Sequence, residues 1–210
     1  WFRILMNSIY DFIITPKKSR YNNEVKVGDK TLIVNTSIED HKLVSKEAIV
    51  VSVPLAYSSV IKPGDEIMVH HNIFRRWYDV RGKSRNSGQY FKEDLYFCKP
   101  DQIYLYKRNG KWLAIGSRCF IKPIKDTNNL TNDIEQKHIG ILKIGNSSLK
   151  ELGINPGDLV GYRPSKEWEF IVDENRLYCM KSNDIVIKYE HEGNEVEYNP
   201  SWAHSGWRTY

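Results

Sequence analysis

The strongest constraint on this chain is a turn that it contains twice. Ile61-Lys62-Pro63-Gly64-Asp65-Glu66-Ile67-Met68-Val69 recurs as Ile154-Asn155-Pro156-Gly157-Asp158-Leu159-Val160-Gly161-Tyr162. Proline at the first central position fixes φ at about −65°, and glycine at the second accepts a positive φ. Each Pro-Gly pair therefore predicts a type II turn that feeds a short apolar strand. A second pair follows downstream: Leu95-Tyr96-Phe97-Cys98-Lys99-Pro100-Asp101-Gln102-Ile103-Tyr104-Leu105-Tyr106 parallels Leu177-Tyr178-Cys179-Met180-Lys181-Ser182-Asn183-Asp184-Ile185-Val186-Ile187-Lys188-Tyr189. In both, an apolar strand meets a polar turn and then an alternating strand. Weaker pairs match Phe12-Ile13-Ile14-Thr15-Pro16-Lys17 with Phe120-Ile121-Lys122-Pro123-Ile124-Lys125, and Ala48–Val53 with Ile139–Gly145. Elements recurring in one order predict a duplicated β domain, divided near Lys107-Arg108-Asn109-Gly110.

Almost nothing carries a long helical period. Short β-branched and aromatic runs punctuated by Gly, Pro, Asn and Asp predict an all-β chain of two small tandem barrels, with one helical turn over Ser147–Leu152. The expected division is a first barrel over 1–108, with a long loop 19–47 and an insertion 70–90. A second barrel over 109–190 and an aromatic tail over 191–210 complete it. The 210 residues, 40% hydrophobic and 27% charged, suit two domains with real cores and exclude wholesale disorder. No apolar run is long enough for a spanning helix. Three widely spaced cysteines, Cys98, Cys119 and Cys179, fit neither a disulfide framework nor a zinc motif, so a reducing, cytoplasmic setting is expected. Trp1 is not an initiator, which implies either missing upstream residues or a start at Met6; Trp1–Met6 is too short for a signal peptide.

Taken in order, each unit has an opening strand, a polar loop, a Val/Ile-rich strand, a Pro-Gly-Asp turn and a Leu-x-x-x-Lys-x-x-Asp/Gln-Ile close. This order resembles the GroES co-chaperonin family, in tandem, over residues 8–106 and 117–189. In the stretch from Trp168 to Tyr189, Val172-Asp173-Glu174-Asn175-Arg176-Leu177 is similar to the family's acidic turn. Lys181-Ser182-Asn183-Asp184-Ile185 is similar to its closing signature. The tandem form looks like the double-domain co-chaperonins of plastids, and the Lys-, Asn-, Ile- and Tyr-rich usage suits a diverged viral homologue acting in a host cytoplasm.

The resemblance implies a non-enzymatic, homo-oligomeric ring that caps an ATP-driven, GroEL-type chaperonin ring, assists folding and needs no cofactor of its own. In the family a mobile loop after the first strand docks an apolar tripeptide on the chaperonin. The matching positions here are Leu32, Ile33 and Val34, within Ser19–Glu47. Three such side chains gain roughly 1.5–3 kcal/mol each, less the cost of ordering the loop, so a ring of weak loops binds through avidity. The alternation of Glu24–Val27 and Thr31–Val34 around Gly28-Asp29 equally fits a plain hairpin. The family's double glycine before the tripeptide is reduced to Gly28. The shorter loop Asp126–Lys137 offers only Leu130 and Ile134, so the second unit is not expected to dock. Pro54–Val60 and Asn146–Leu152 are too short for the family's roof hairpin, which predicts a wider central opening.

Charge singles out one further stretch. Residues 1–110 carry 18 basic and 12 acidic groups, the remainder 13 and 14. Much of the excess lies in an insertion holding Arg75, Arg76, Trp77, Tyr78, Arg81, Lys83 and Arg85. Cations interleaved with aromatics suit nucleic-acid phosphates and bases; a solvated hairpin that covers the barrel or a neighbouring subunit is the plainer and favoured alternative. His70-His71 is not expected to bind a metal, because adjacent residues in a strand point to opposite faces. Trp202, His204, Trp207 and Tyr210 make a tail expected to dock on its own or a neighbouring subunit. No G-x-S-x-G, Walker or G-x-G-x-x-G motif is present, and Cys98 and Cys179 fall in apolar strands, so no enzyme is expected. Besides the co-chaperonin, the remaining alternatives are a structural assembly protein, for example of a viral particle, and a nucleic-acid binder acting through the insertion.

Overall fold

The computed structural model describes residues 7–21, 24–27, 30–33, 44–126, 135–190, 193 and 195–204. The chain divides into two compact units, Trp1–Trp112 and Leu113–Tyr210. The first holds β1 (Phe12–Pro16), β2 (Glu24–Val27), β3 (Lys30–Ile33), β4 (Glu47–Ser52), β5 (Glu66–Val69), β6 (Arg76–Tyr78), β7 (Ser84–Asn86), β8 (Tyr90–Lys92), β9 (Leu95–Cys98) and β10 (Ile103–Arg108). Strand β11 (Lys111–Ala114) straddles the division. The second unit holds β12 (Arg118–Lys125), β13 (Glu135–Ile144), α1 (Ser147–Glu151), β14 (Leu159–Tyr162), β15 (Trp168–Val172), β16 (Asn175–Lys181), β17 (Ile185–Lys188) and α2 (Ser201–His204). The chain is all-β, and its one-turn helix α1 falls within Ser147–Leu152, with the Asn146 side chain capping Leu149 N.

The strand orders are the central finding. The first sheet runs β11-β10-β5-β4-β1-β9-β8 and the second β15-β16-β12-β13-β14-β17. Reading the second from β17 and setting β11 aside, the two orders superimpose strand for strand. Hydrogen bonds around the repeated turn match as well. Gly64 N donates to Val50 O (2.7 Å) and Val50 N to Asp65 O (3.0 Å); Gly157 N donates to Leu142 O (2.8 Å) and Leu142 N to Asp158 O (2.9 Å). Both central glycines have the positive φ that a type II turn demands, 89° at Gly64 and 103° at Gly157. Each turn aspartate takes the backbone N–H three residues earlier, Lys62 and Asn155, both at 2.8 Å. Each also meets a cation: Arg108 on Asp65, Lys188 on Asp158.

The register corrects one correspondence. Pro16 pairs with Ala48, and Pro123 pairs with Gly140. The opening strands therefore align Phe12 with Cys119, one position away from the Phe12–Phe120 match of the sequence. The shared phenylalanine does not mark equivalent positions, because hydrogen-bond register, not side-chain type, fixes which face a residue takes.

Alternating strands bury one face. In β4 and β9 the buried residues are Ala48, Val50, Ser52, Tyr96 and Cys98. In the second unit Cys119, Ile121, Leu142, Leu149, Val160, Tyr162, Tyr178 and Met180 form a contiguous core. Strand β12 breaks the alternation, being buried from Cys119 through Ile124. Its second flank is covered by the C-terminal segment: Tyr198 N donates to Pro123 O and Lys125 N to Val196 O, both at 2.8 Å. Ala203 of α2 is buried in the same unit. The tail thus packs on its own unit through Val196, Tyr198, Asn199 and Ala203, while the side chains of Trp202 and His204, and Trp207 and Tyr210 altogether, lie outside the described residues.

Candidate functional site

Two excursions distinguish the first unit from the second. One leaves between β1 and β4, spanning positions 17–46, where β12 and β13 are joined by 126–134 alone. The other leaves between β5 and β8, spanning 70–89, where β14 and β15 are joined by 163–167. Because the second unit reaches the same strand order with these much shorter connections, the added length is not needed to build the sheet.

The first excursion holds the β2–β3 hairpin, a two-stranded sheet separate from the main one. Its register pairs Val25 with Leu32 and Glu24 with Ile33. The backbone therefore takes the paired form of the two that the sequence allows. Leu32 and Ile33 occupy its second strand, while Val34 lies outside the described residues, as do Leu130 and Ile134.

The second excursion is the basic segment. Strands β6 and β7 pair Arg76 with Asn86, Trp77 with Arg85 and Tyr78 with Ser84. Asp79 shapes the turn: its Oδ1 accepts from Arg81 N and Lys83 N, both at 2.9 Å, and its Oδ2 meets Arg85 Nε at 3.0 Å. The backbone N–H of Lys83, with that of Arg81 and the Arg85 guanidinium, holds the Asp79 carboxyl below its ordinary range. Val80 is fully exposed at the tip, and Trp77 and Tyr78 are exposed beside it.

The root of this hairpin is fixed by residues that the sequence did not single out. Arg20 donates to the carbonyls of Phe74 and Arg75 and, at 2.8 Å, to Asn86 Oδ1. Tyr21 Oη accepts from Arg76 N at 2.7 Å, and the Arg76 guanidinium lies 5.3 Å from the Tyr21 ring centroid. Ser87 Oγ donates to Ile73 O. The only available signal was the Arg-Tyr pair directly after the β1 turn. Between this root and the sheet lies an open depression of about 650 Å³, lined by Asn72, Arg75, Trp77, Ser87, Gly88, Gln89 and Gln102. Of the seven basic and aromatic positions expected to form a surface, Arg75 and Trp77 line it. Arg85 shares Trp77's cross-strand position, Arg81 and Lys83 flank the turn, and Arg76 turns to Tyr21.

His70 and His71 do not lie back to back. A single 3₁₀ turn begins at His71, and the two rings stack at 4.4 Å between centroids, because the chain leaves the strand there. Among the described residues no three His, Cys, Asp or Glu side chains gather so as to hold a metal ion. Cys98, Cys119 and Cys179 are buried free thiols. Burial pushes all three up, Cys119 and Cys179 to about 12.

The second unit contains a buried cation that sequence reading passed over. Lys122, in β12, is 1% exposed, and its ammonium donates to Asn199 Oδ1 (2.8 Å) and Asn175 Oδ1 (3.3 Å). Burial lowers it to about 8. Arg176 is held by Glu135, by Glu169 at 2.8 Å and by the Tyr178 hydroxyl. Both networks tie distant elements of the second unit together: Lys122 of β12 to Asn175 of β16 and to Asn199, and Arg176 of β16 to Glu135 of β13 and Glu169 of β15.

No protein-family model matches the chain, and no curated protein matches it either. None of the helices among the described residues is long and apolar enough to cross a membrane.

Proposed function

We propose that this chain is a co-chaperonin-like protein: two GroES-type barrels in tandem that assemble into a homo-oligomeric ring and cap a GroEL-type chaperonin in the cytoplasm. Its role is binding and not catalysis, and it takes no cofactor. The observation that supports this is the detached β2–β3 hairpin. It lies in the 17–46 connection of the first unit, where the second unit reaches the same strand order with positions 126–134 alone. That connection is where the GroES resemblance places the docking segment Leu32-Ile33-Val34. An element that the sheet does not need, carrying apolar residues beside a duplicated scaffold, suits a finger offered to a larger partner.

The test is capture of a purified chaperonin ring by the full chain, with ATP, with ADP and without nucleotide, against a Leu32→Ala/Ile33→Ala/Val34→Ala control. Nucleotide-dependent capture that the triple variant loses is expected. Capture by neither protein, or equally by both, overturns the proposal.

A second reading has its own support. Ile9, Tyr10, Leu55, Tyr57 and Val60 are exposed apolar side chains, and the 8–10 and 54–57 segments that carry the first four are joined by Leu55 N to Ser8 O and Ala56 N to Ile9 O. Such a patch suits a structural assembly protein whose copies pack through it. A stable oligomer that dissociates on Leu55→Asp and captures no chaperonin favours that reading.

A further inference from the structure

The basic hairpin and the depression at its root are not used by the proposed docking segment. We propose that they form a binding site for single-stranded nucleic acid, with Trp77 stacking an unpaired base and Arg75, Arg81, Lys83 and Arg85 holding phosphates.

Charge is the first support. Asp79 is the only acidic residue between His70 and Lys92, and its carboxylate is consumed by two backbone N–H groups and by Arg85. Among the described residues no carboxylate pairs with Arg75, Arg81 or Lys83. The hairpin therefore carries a positive excess, Arg75, Arg76, Arg81, Lys83 and Arg85 against Asp79 alone, and of these only Arg85 pairs with a carboxylate among the described residues.

Geometry is the second. The Trp77–Arg85 cross-strand pair puts an exposed indole and a cation on one face, while Arg76 is committed to the Tyr21 ring on the other. The depression that Trp77 and Arg75 line is polar. The side-chain amides of Asn72 and Gln89 at its wall make no hydrogen bond to any described residue, and Arg75 Nε is buried without a hydrogen-bond partner among them. Amides able both to donate and to accept, next to an open aromatic face, match the edge and face of an unpaired base. A duplex offers no open base face to a recess of this kind, since its bases are stacked inside the helix and their Watson–Crick edges are paired. Dispensability is the third: the second unit closes the same sheet with only residues 163–167 in this connection, so the exposed rings and cations serve no strand pairing.

The test uses the full chain with labelled oligothymidylate and oligouridylate of about 20 nucleotides, and a duplex of equal length, read by fluorescence anisotropy at about 50 mM salt. Binding to a single strand in preference to duplex is expected; the tighter of the two polymers identifies the natural one. With three or four phosphates engaged, the log–log salt slope should be about −2 to −3. Trp77→Ala should weaken binding about tenfold. Arg81→Ser/Lys83→Ser should weaken it similarly and flatten the slope by about one to two. These two exposed turn positions keep the test open if Trp77→Ala perturbs folding, which an unchanged thermal midpoint would rule out. No binding to either single strand, equal binding to duplex, or affinity untouched by both variants overturns the proposal. Capture of a protein through the hairpin without any oligonucleotide binding overturns it too.

Discussion

The ammonium of Lys122 lies 2.8 Å from the side-chain oxygen of Asn199, joining a strand in the heart of the second sheet to the segment that follows it. Asn199 Oδ1 also accepts from Arg176 N (2.9 Å), and its Nδ2 donates to Glu174 O (3.1 Å). One amide therefore satisfies a buried cation and two backbone groups. Asn199→Ala should destabilise the protein by about 1–3 kcal/mol, since it strips a buried charge of its better acceptor. Urea unfolding checks this.

The same lysine makes stability depend on pH. Burial lowers its folded value to about 8 from the ordinary 10.5. Below about pH 8 both states hold the proton, and the folded state carries the full penalty of a buried charge. Between about 8 and 10.5 the unfolded chain binds more protons, so raising the pH favours folding, and the gain is complete above 10.5. Other groups titrate in this range, so the measurement is the difference between wild type and Lys122→Met. Wild type should gain on the variant from pH 7 to pH 10; a flat difference contradicts a charged, buried Lys122.

The paired turns allow a matched comparison. Asp65→Ala and Asp158→Ala each remove an acceptor for a backbone N–H and a partner for a cation. Each should lower stability by about 1–2 kcal/mol. Because the backbone geometry of the two turns matches, with an arginine on one aspartate and a lysine on the other, the losses should be similar; a loss at one site alone would contradict the match.

Strand spacing differs at one matched position. A Cβ on Gly140 would lie 2.5 Å from Lys122 O and 2.6 Å from Ile121 Cγ2, whereas the first unit holds Ala48 there, fully buried. Gly140→Ala should cost about 1–3 kcal/mol through overpacking. Ala48→Gly should cost about 1 kcal/mol through backbone entropy. Thermal midpoints report both.

The thiols should be silent. Cys98 and Cys119 are 0% exposed and Cys179 4%, and burial raises all three. A disulfide reagent at neutral pH should titrate none of them in the folded chain and three in denaturant; rapid reaction of any one would contradict its burial.

What could be read from the residues was local. Pro63-Gly64-Asp65 and Pro156-Gly157-Asp158 encode their own geometry, so the turns, the strands they feed and the all-β character were legible. Glu24–Ile33 alternates plainly enough for a hairpin to be one of two open choices. The depression was not legible, because Gln102 and Trp77 meet only through tertiary folding. Nor was the burial of Lys122, whose partners Asn175 and Asn199 stand 53 and 77 positions away. The His70–His71 stack is not legible in the residues, because the apolar run Ile67-Met68-Val69 reads as a strand with nothing in it to mark the 3₁₀ turn that begins at His71.

The flank of β12 that pairs with Val196 and Tyr198 has a bearing on synthesis. The first sheet has all its strands once residue 114 has left the ribosome, and it can close while the rest is still being made. The second has its six strands once Lys188 has emerged but lacks the Val196 and Tyr198 bonds to β12 until residue 198 follows, so during that interval a nascent chain carries one finished sheet and one with part of a strand flank still unpaired.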